Sequence, residues 1–307
     1  MYDHTALARQ INIEVRYDYI DKIAVRITRD ISKSELRFLQ DNVVEFVDYR
    51  QGHYTRGFVN GVLTIVAPKP PALQFLADLP DRTIVNYLEV ARDYICDEGT
   101  KWLLRDLFDR HLVQPWHGRH VQVREENGSY TSQDEAPRKF VWYADKPCKL
   151  TGDVDCFHLE GRHVGVVQVS KLGIHHPRGL LSFDFAKYWQ KHLHLYDIDL
   201  ERLGRYHLNQ QSGSRRQQPM LQQCGPITYN RDRATGCVLF KSLSAHPEQH
   251  CRSMQRFVDV YGRGPFLLPL HYIVNATKSI LFSDTLLTEG SNVFSTHSDV
   301  VNGELHV

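Results

Sequence analysis

The spacing of hydrophobic positions changes along the chain and divides it into elements. Residues 19–27 alternate polar and apolar, the two-residue period of a half-buried strand. The stretch before them, 1–17, reads as a polar leader. Ser32 and Glu35 have the spacing of a capping box, in which each closes a free N–H of the other. A helix is predicted from there to about residue 47. Strand-like runs at 53–59 and 62–67 flank Asn60-Gly61, a dipeptide that favours a tight hairpin turn. Residues 72–79 form a short helix that Pro80 ends. The same order then recurs. Residues 83–94 are strand-like, and 99–113 have helical periodicity with Trp102, Leu103, Leu107, Phe108 and Leu112 on one face. Strands are predicted at 120–124, 140–144 and 156–169, with Asn127-Gly128 as another turn.

The order β-α-β-β thus occurs twice, near residues 19–67 and 84–145. It predicts an α+β fold in which two related β-α-β-β units share antiparallel sheet, not a doubly wound parallel fold. The division that follows is an N-terminal α+β unit at 1–82, a central α+β unit at 83–200 and a less regular C-terminal region at 201–307. Residues 180–195 read as a helix, 210–223 as a mobile loop rich in Gln, Ser and Arg, and 247–261 as a helix. The C-terminal region is either DNA-binding or structural.

Composition bounds the partners. The 307 residues are 42% hydrophobic and 24% charged, enough apolar mass for a sizeable core and too little charge for a disordered polyelectrolyte. A formal net charge of +1 does not by itself argue for nucleic acid, so any such surface must be local. Six cysteines at irregular spacing include no Cys-x-x-Cys pair, which points to free thiols in a reducing cytosol. No stretch reads as a signal peptide or a membrane span, so the expectation is a cytoplasmic protein with no membrane partner.

Candidate chemistry concentrates in three strands. On a strand through residues 156–163, His158, Glu160 and Arg162 share one face, and Phe157 and Leu159 the other. An imidazole and a carboxylate two residues apart can bind one divalent metal or a phosphate-bound water, and Arg162 can hold a phosphate. A solvated face with a simple ion pair is the alternative. On the strand through residues 86–93, Glu89 and Asp93 share a face with Tyr87 and Ala91, while Arg92 lies opposite. Together Glu89, Asp93, His158 and Glu160 would make a site for a hard cation. Between these strands, Arg138, Lys139, Phe140, Trp142, Tyr143 and Lys146 mix cations with rings. That mixture suits a nucleic-acid surface or a strand with buried aromatics. Arg215 and Arg216, with Arg202, Arg205 and His207, add a basic cluster around the loop at 210–223.

The motif order, Glu89-Val90-Ala91-Arg92-Asp93, Tyr143-Ala144-Asp145-Lys146 and His158-Leu159-Glu160-Gly161-Arg162, resembles the replication-initiation-factor family of rolling-circle initiators from small plasmids and filamentous phages. The resemblance covers roughly residues 50–195 through short motifs. The family shows Arg-x-Asp-x-x-x-Asp on its first strand. Here Tyr87, Glu89 and Asp93 stand at that spacing, so the Arg is lost and one Asp is Glu. The resemblance implies a relaxase-type site in which carboxylates bind Mg²⁺ or Mn²⁺ and a tyrosine attacks a phosphodiester of single-stranded or origin DNA. A homodimer and a host helicase are the further partners it implies.

Among fifteen tyrosines, Tyr188 is the first candidate nucleophile, because Lys191 and His192 follow it by three and four residues on a predicted helix and could help deprotonate it. Tyr143 is the second. His192 and His194 also have the His-x-His spacing of a metal pair, but in a helical context. Two other readings stay open: a DNA-binding protein of the same fold without catalysis, and an unrelated α+β protein that binds a small ligand or another protein.

Overall fold

The structure, a computed structural model, describes residues 4–52, 61–113, 123–124, 130–131, 137–211, 257–258 and 265–281. It begins with α1 (His4–Gln10) and β1 (Ile13–Ile27), followed by α2 (Lys33–Asp41), β2 (Val47–Gln51), β3 (Gly61–Val66) and α3 (Pro70–Ala77). Next come β4 (Ile84–Cys96), α4 (Thr100–His111) and three two-residue strands, β5 (Leu112–Val113), β6 (Val123–Arg124) and β7 (Tyr130–Thr131). They are followed by β8 (Arg138–Tyr143), β9 (Cys156–Val164), α5 (Val166–Ser170), α6 (Phe185–His192), β10 (His194–Ile198) and α7 (Leu200–Gln211). The last two described strands are β11 (Leu267–Pro269) and β12 (Lys278–Leu281). Among the described residues, no helix is long and apolar enough to cross a membrane.

The fold is α+β. Its main sheet runs β2-β3-β1-β4-β9-β8-β7-β6, with β12 added parallel to β1. The first unit, β1-α2-β2-β3, forms one half of the sheet; β4, β9, β8, β7 and β6 form the other, and the strand beside β4 is β9, which lies beyond the second unit expected at 84–145. The two halves meet where β1 and β4 pair antiparallel along nearly their whole length. The first unit thus places its last strand, β3, beside its first, whereas β9 separates β8 from β4 in the other half. The described parts of the C-terminal region return to this frame through β12 on β1 and β11 on β10.

One face of the sheet carries the core. Ile20, Leu88, Val90, Phe140, Trp142, Phe157 and Leu159 pack against Leu104, Leu107 and Phe108 of α4 and against Tyr188 and Trp189 of α6. The helix starts follow local rules. Ser32 accepts from the Glu35 backbone N–H at 3.2 Å, and Glu35 accepts in return from the Ser32 N–H at 2.8 Å. Asp184 caps α6 by accepting from the Lys187 N–H at 2.8 Å.

Several boundaries differ from the sequence expectation for physical reasons. The strand expected from residue 19 begins at Ile13, inside the stretch read as a polar leader. Its polar residues are satisfied across the pair: Asp18 accepts from buried Arg92 at 2.7 and 3.0 Å. The helix expected to reach residue 47 stops at Asp41, where Val43 instead bridges to Pro68. The strand expected to reach residue 169 ends at Val164, because Gly165, at φ 88°, turns the chain into α5. The helix expected at 180–195 is α6 alone, and His194 already belongs to β10, which pairs with β5 and β11. The strand expected at 53–59, most of that at 120–124, the turns at Asn60-Gly61 and Asn127-Gly128 and the loop at 210–223 lie wholly or partly outside the described residues, as does most of the helix expected at 247–261.

Candidate metal centre

The open face of the sheet carries the polar residues in rows set by strand register. Tyr17, Asp93, His158 and Tyr143 form one row across β1, β4, β9 and β8. Tyr19, Ala91, Glu160 and Val141 form the next, and Glu89, Arg162 and Lys139 the one beyond. Alternation along each strand therefore does what the sequence predicts: Glu89, Asp93, His158, Glu160 and Arg162 share one face.

A chain of polar contacts runs through these rows. Asp93, fully buried, bonds His158 Nδ1 at 2.6 Å through one oxygen. Its other oxygen accepts from the Tyr19 hydroxyl and the Cys148 thiol, each at 3.1 Å. His158 Nε2 lies 3.3 Å from Glu160. Arg162 pairs with Glu160 and also reaches Glu89 at 3.2 Å, while the Tyr87 hydroxyl donates to Glu89.

Sequence reasoning missed Asp21. The register between β1 and β4 shifts between Ile20 and Lys22, so Asp21 is the extra residue of a β-bulge. It is 1% exposed, and Lys149 Nζ donates to its two oxygens at 2.8 and 2.7 Å. The signal was present: Asp21 and Lys22 are two polar residues in succession between Ile20 and Ile23, which strict alternation cannot place. The ligand atoms of Asp21, His158 and Glu160 all lie within 4.8 Å of one another. This set differs from the expected quartet. Asp93 lies behind His158, with Oδ1 on the imidazole and Oδ2 toward Tyr19 and Cys148, and Glu89 is turned toward Arg162 and Tyr87.

Electrostatics marks the same three residues. Burial, then the charge of Glu160, pushes the Asp21 carboxyl up to about 7, against the pull of His158 and Lys149. Burial would lower His158, but the Asp93 and Glu160 carboxylates outweigh it and push it up to about 10. Glu160 is buried too, yet its bond to His158 and the charges of His158 and Arg162 hold it well below the usual carboxylate range. Two carboxylates crowded beside one imidazole fit a divalent cation. Two oxygens and one nitrogen also suit Mg²⁺ or Mn²⁺ in ligand type.

Asp21 and Glu160 line a cleft of about 640 Å³. Lys22, Lys146, Lys149 and Arg162 line it, together with Tyr87 and Tyr143. Tyr143 stacks on His158 with centroids 4.5 Å apart, and Lys146 Nζ sits 5.1 Å from the centroid of the Tyr143 ring.

Other expected residues fall elsewhere. Tyr188 is buried on the opposite, core face, where its hydroxyl bonds His163 Nε2 at 2.9 Å and lies over Gly161. It does not share an exposed face with Lys191 and His192: Lys191 is exposed, whereas His192 is buried against the Tyr188 ring. The whole sheet thus separates Tyr188 and Lys191 from the carboxylates. Arg138, paired in register with His163, also belongs to the core-facing set, whereas Lys139 shares the Arg162 face. Arg215 and Arg216 lie outside the described residues.

The core-face histidines give a pH expectation. Burial, then the charges of His192 and Arg138, lowers His163 to about 3, and Tyr188 is its bonded neighbour. Burial, then Lys191, Arg138 and His194, lowers His192 to about 4. Their folded pKa values lie below the unfolded value of about 6.5, so the unfolded chain takes up protons first as pH falls. Their contribution to stability is complete above about pH 6.5 and is lost toward pH 4 and below. Asp21 acts in the opposite sense, since its folded value lies above its unfolded one. The histidine part is therefore read by difference. Urea midpoints measured at pH 7.5 and 5 are expected to fall less for His192→Phe than for wild type; equal falls would contradict the assignment.

Comparison with known proteins adds little to this. No family model matches the chain, and no curated protein matches it. Among solved structures, one similar chain is described as a rolling circle replication initiator protein from Geobacillus stearothermophilus. It is 12% identical, with 59% of this chain and 87% of that chain covered, at a TM-score of 0.33. The case for function rests on this chain's own residues.

Proposed function

We propose that the chain is a divalent-metal-dependent DNA strand-nicking protein of the rolling-circle initiator type, with Tyr143 as the attacking residue. The observation that carries this reading is the convergence of the Asp21, His158 and Glu160 ligand atoms within 4.8 Å, beside a cleft that Asp21 and Glu160 line together with Tyr143 and three lysines. Lys22, Lys146 and Lys149 supply positive charge for a phosphate backbone. Asp93 fixes the imidazole through Nδ1, which turns Nε2 toward Glu160. Asp21, His158 and Glu160 would hold Mg²⁺ or Mn²⁺, which supplies withdrawal of charge from a phosphoryl oxygen. The Tyr143 hydroxyl oxygen bonds to phosphorus as the bond to the departing deoxyribose oxygen breaks. The strand end leaves as a hydroxyl, and the protein keeps the phosphate as an ester that a later attack can reseal.

One contact favours a second reading. Arg162 bridges Glu89 and Glu160, so a guanidinium already offsets two carboxylates, as in a DNA-binding surface without catalysis. Incubating the full chain with Mn²⁺ and a randomised single-stranded oligonucleotide pool separates the two. The expected result is a detergent-stable, chelator-sensitive adduct that mass spectrometry maps to Tyr143. Salt-sensitive binding without adduct supports the second reading, and neither binding nor adduct defeats both. An adduct on another tyrosine removes Tyr143 from the role.

A further inference from the structure

Behind His158 lies a second group of ligand atoms that the nicking chemistry does not use. Those of Asp93, Cys148 and Cys156 fall within 4.8 Å of one another, and all three residues are buried. Cys156 is the first residue of β9, one row beyond His158 on the open face, beside Ile95 and Val15. Cys148 comes from the connection between β8 and β9. Its N–H donates to the Asp153 carbonyl at 2.8 Å, and its own carbonyl accepts from the Gly152 N–H at 2.8 Å. These two bonds close residues 148–153 into a knuckle, with Gly152 at φ 76° making the turn. The knuckle presents the Cys148 sulfur to the strand that carries Cys156.

We infer that Asp93, Cys148 and Cys156 form a second, sulfur-rich metal centre for a thiophilic divalent ion of the Zn²⁺ type. The spacing carries the assignment. Cys148 Sγ lies 3.1 Å from Asp93 Oδ2, and the Cys156 sulfur lies within 4.8 Å of the ligand atoms of both. Two thiolates on one tetrahedral zinc ion stand roughly 3.8 Å apart, the edge set by Zn–S bonds of about 2.3 Å. The free thiols of Cys148 and Cys156 stand within 4.8 Å of each other, a span that accommodates that edge. Asp93 can serve without leaving His158, since Oδ1 bonds the imidazole and Oδ2 faces the sulfurs. Cys148 also lines the cleft, so the fourth position can be filled from solvent.

Sulfur ligands distinguish this ion from the Mg²⁺ or Mn²⁺ of the oxygen and nitrogen site, and the inference stands whether or not the cleft cuts DNA. Its consequence is mechanical. The ion would pin the connection bearing Lys146 and Lys149 to β9, directly behind the residue that holds His158.

The test uses the full chain, reduced and stripped of metal, titrated with Co²⁺ as a spectroscopic substitute for Zn²⁺. The expected result is one equivalent with a sulfur-to-cobalt charge-transfer band in the near ultraviolet. The band should disappear in Cys148→Ser and Cys156→Ser and persist in Asp21→Asn and Glu160→Gln. Should the serine variants fail to fold, the wild-type chain gives a second readout: bound Zn²⁺ should protect Cys148 and Cys156 from alkylation, as mapped by mass spectrometry. No band, a band that survives both serine substitutions, or alkylation of the two thiols unchanged by Zn²⁺ would overturn the centre. Ready closure to a Cys148–Cys156 disulfide in the presence of Zn²⁺ would also count against it.

Discussion

Replacing Glu160 by alanine is expected to abolish metal-dependent strand cleavage and to lower the stability of the chain by about 3 kcal/mol, the lower end of the loss for breaking a buried ion pair. Glu160 is 2% exposed and stands between two cationic groups, His158 and Arg162. Removing it leaves those groups facing each other over a cavity, with Glu89 alone to offset Arg162. The lower end applies because the Arg162 side chain is 29% exposed and can turn toward water. A urea unfolding curve with a reduced midpoint and an unchanged slope is the signature of lost stability. Glu160→Gln separates the two roles. It keeps the shape and an oxygen for Arg162 but lacks the charge a cation needs. It should unfold closer to wild type, yet show neither Mn²⁺ uptake by calorimetry nor cleavage. Cleavage that survives in Glu160→Gln would remove Glu160 from the chemistry. Wild-type stability of Glu160→Ala would mean that the ion pairs around it contribute nothing net.

What the sequence disclosed and what it hid divide along physical lines. Period-two alternation is a local property, so it correctly sorted the faces of β4 and β9 and put His158, Glu160 and Arg162 together. The Ser32–Glu35 cap was legible for the same reason, since both partners lie within one turn. Hidden features depend on distant segments. The polar start of β1 is a strand only because Arg92 satisfies Asp18 across the pair. The partners of Asp93 on β1 and on the β8–β9 connection, Tyr19 and Cys148, cannot be read from its own strand. Tyr188 looked exposed because helical periodicity shows that a helix has two sides without showing which sheet face it covers. Asp21 is the intermediate case: the break in alternation was local, but its meaning as a bulge that aims a carboxylate appears only once β4 is alongside.

Gly161→Ala should cost about 3 kcal/mol, the upper part of the usual range for overpacking, although alanine is the better strand residue in isolation. An added Cβ would stand 2.0 Å from the Tyr188 hydroxyl and 3.1 Å from Phe140 Cε1. Neither side can easily give way. β9 is paired on both flanks, Gly161 with Val90 and with Phe140, so its backbone cannot retreat alone. The Tyr188 ring is packed by Phe183, Trp189 and His192, with its hydroxyl on His163. The strain has one outlet, which is to push β9 toward the cleft. Glu160 adjoins Gly161 on that strand, His158 lies three residues before it, and both point the other way, so Mn²⁺ affinity should fall along with stability. Tyr188→Phe removes the colliding oxygen at the expense of one hydrogen bond, roughly 1 kcal/mol. The double variant should therefore lose less stability than the two single losses added together, by a coupling on the order of 1–3 kcal/mol, and should recover Mn²⁺ affinity. Strictly additive losses would show that Tyr188 does not press on Gly161. Unchanged Mn²⁺ affinity in Gly161→Ala would show that the core face does not set the position of the ligands on the other side.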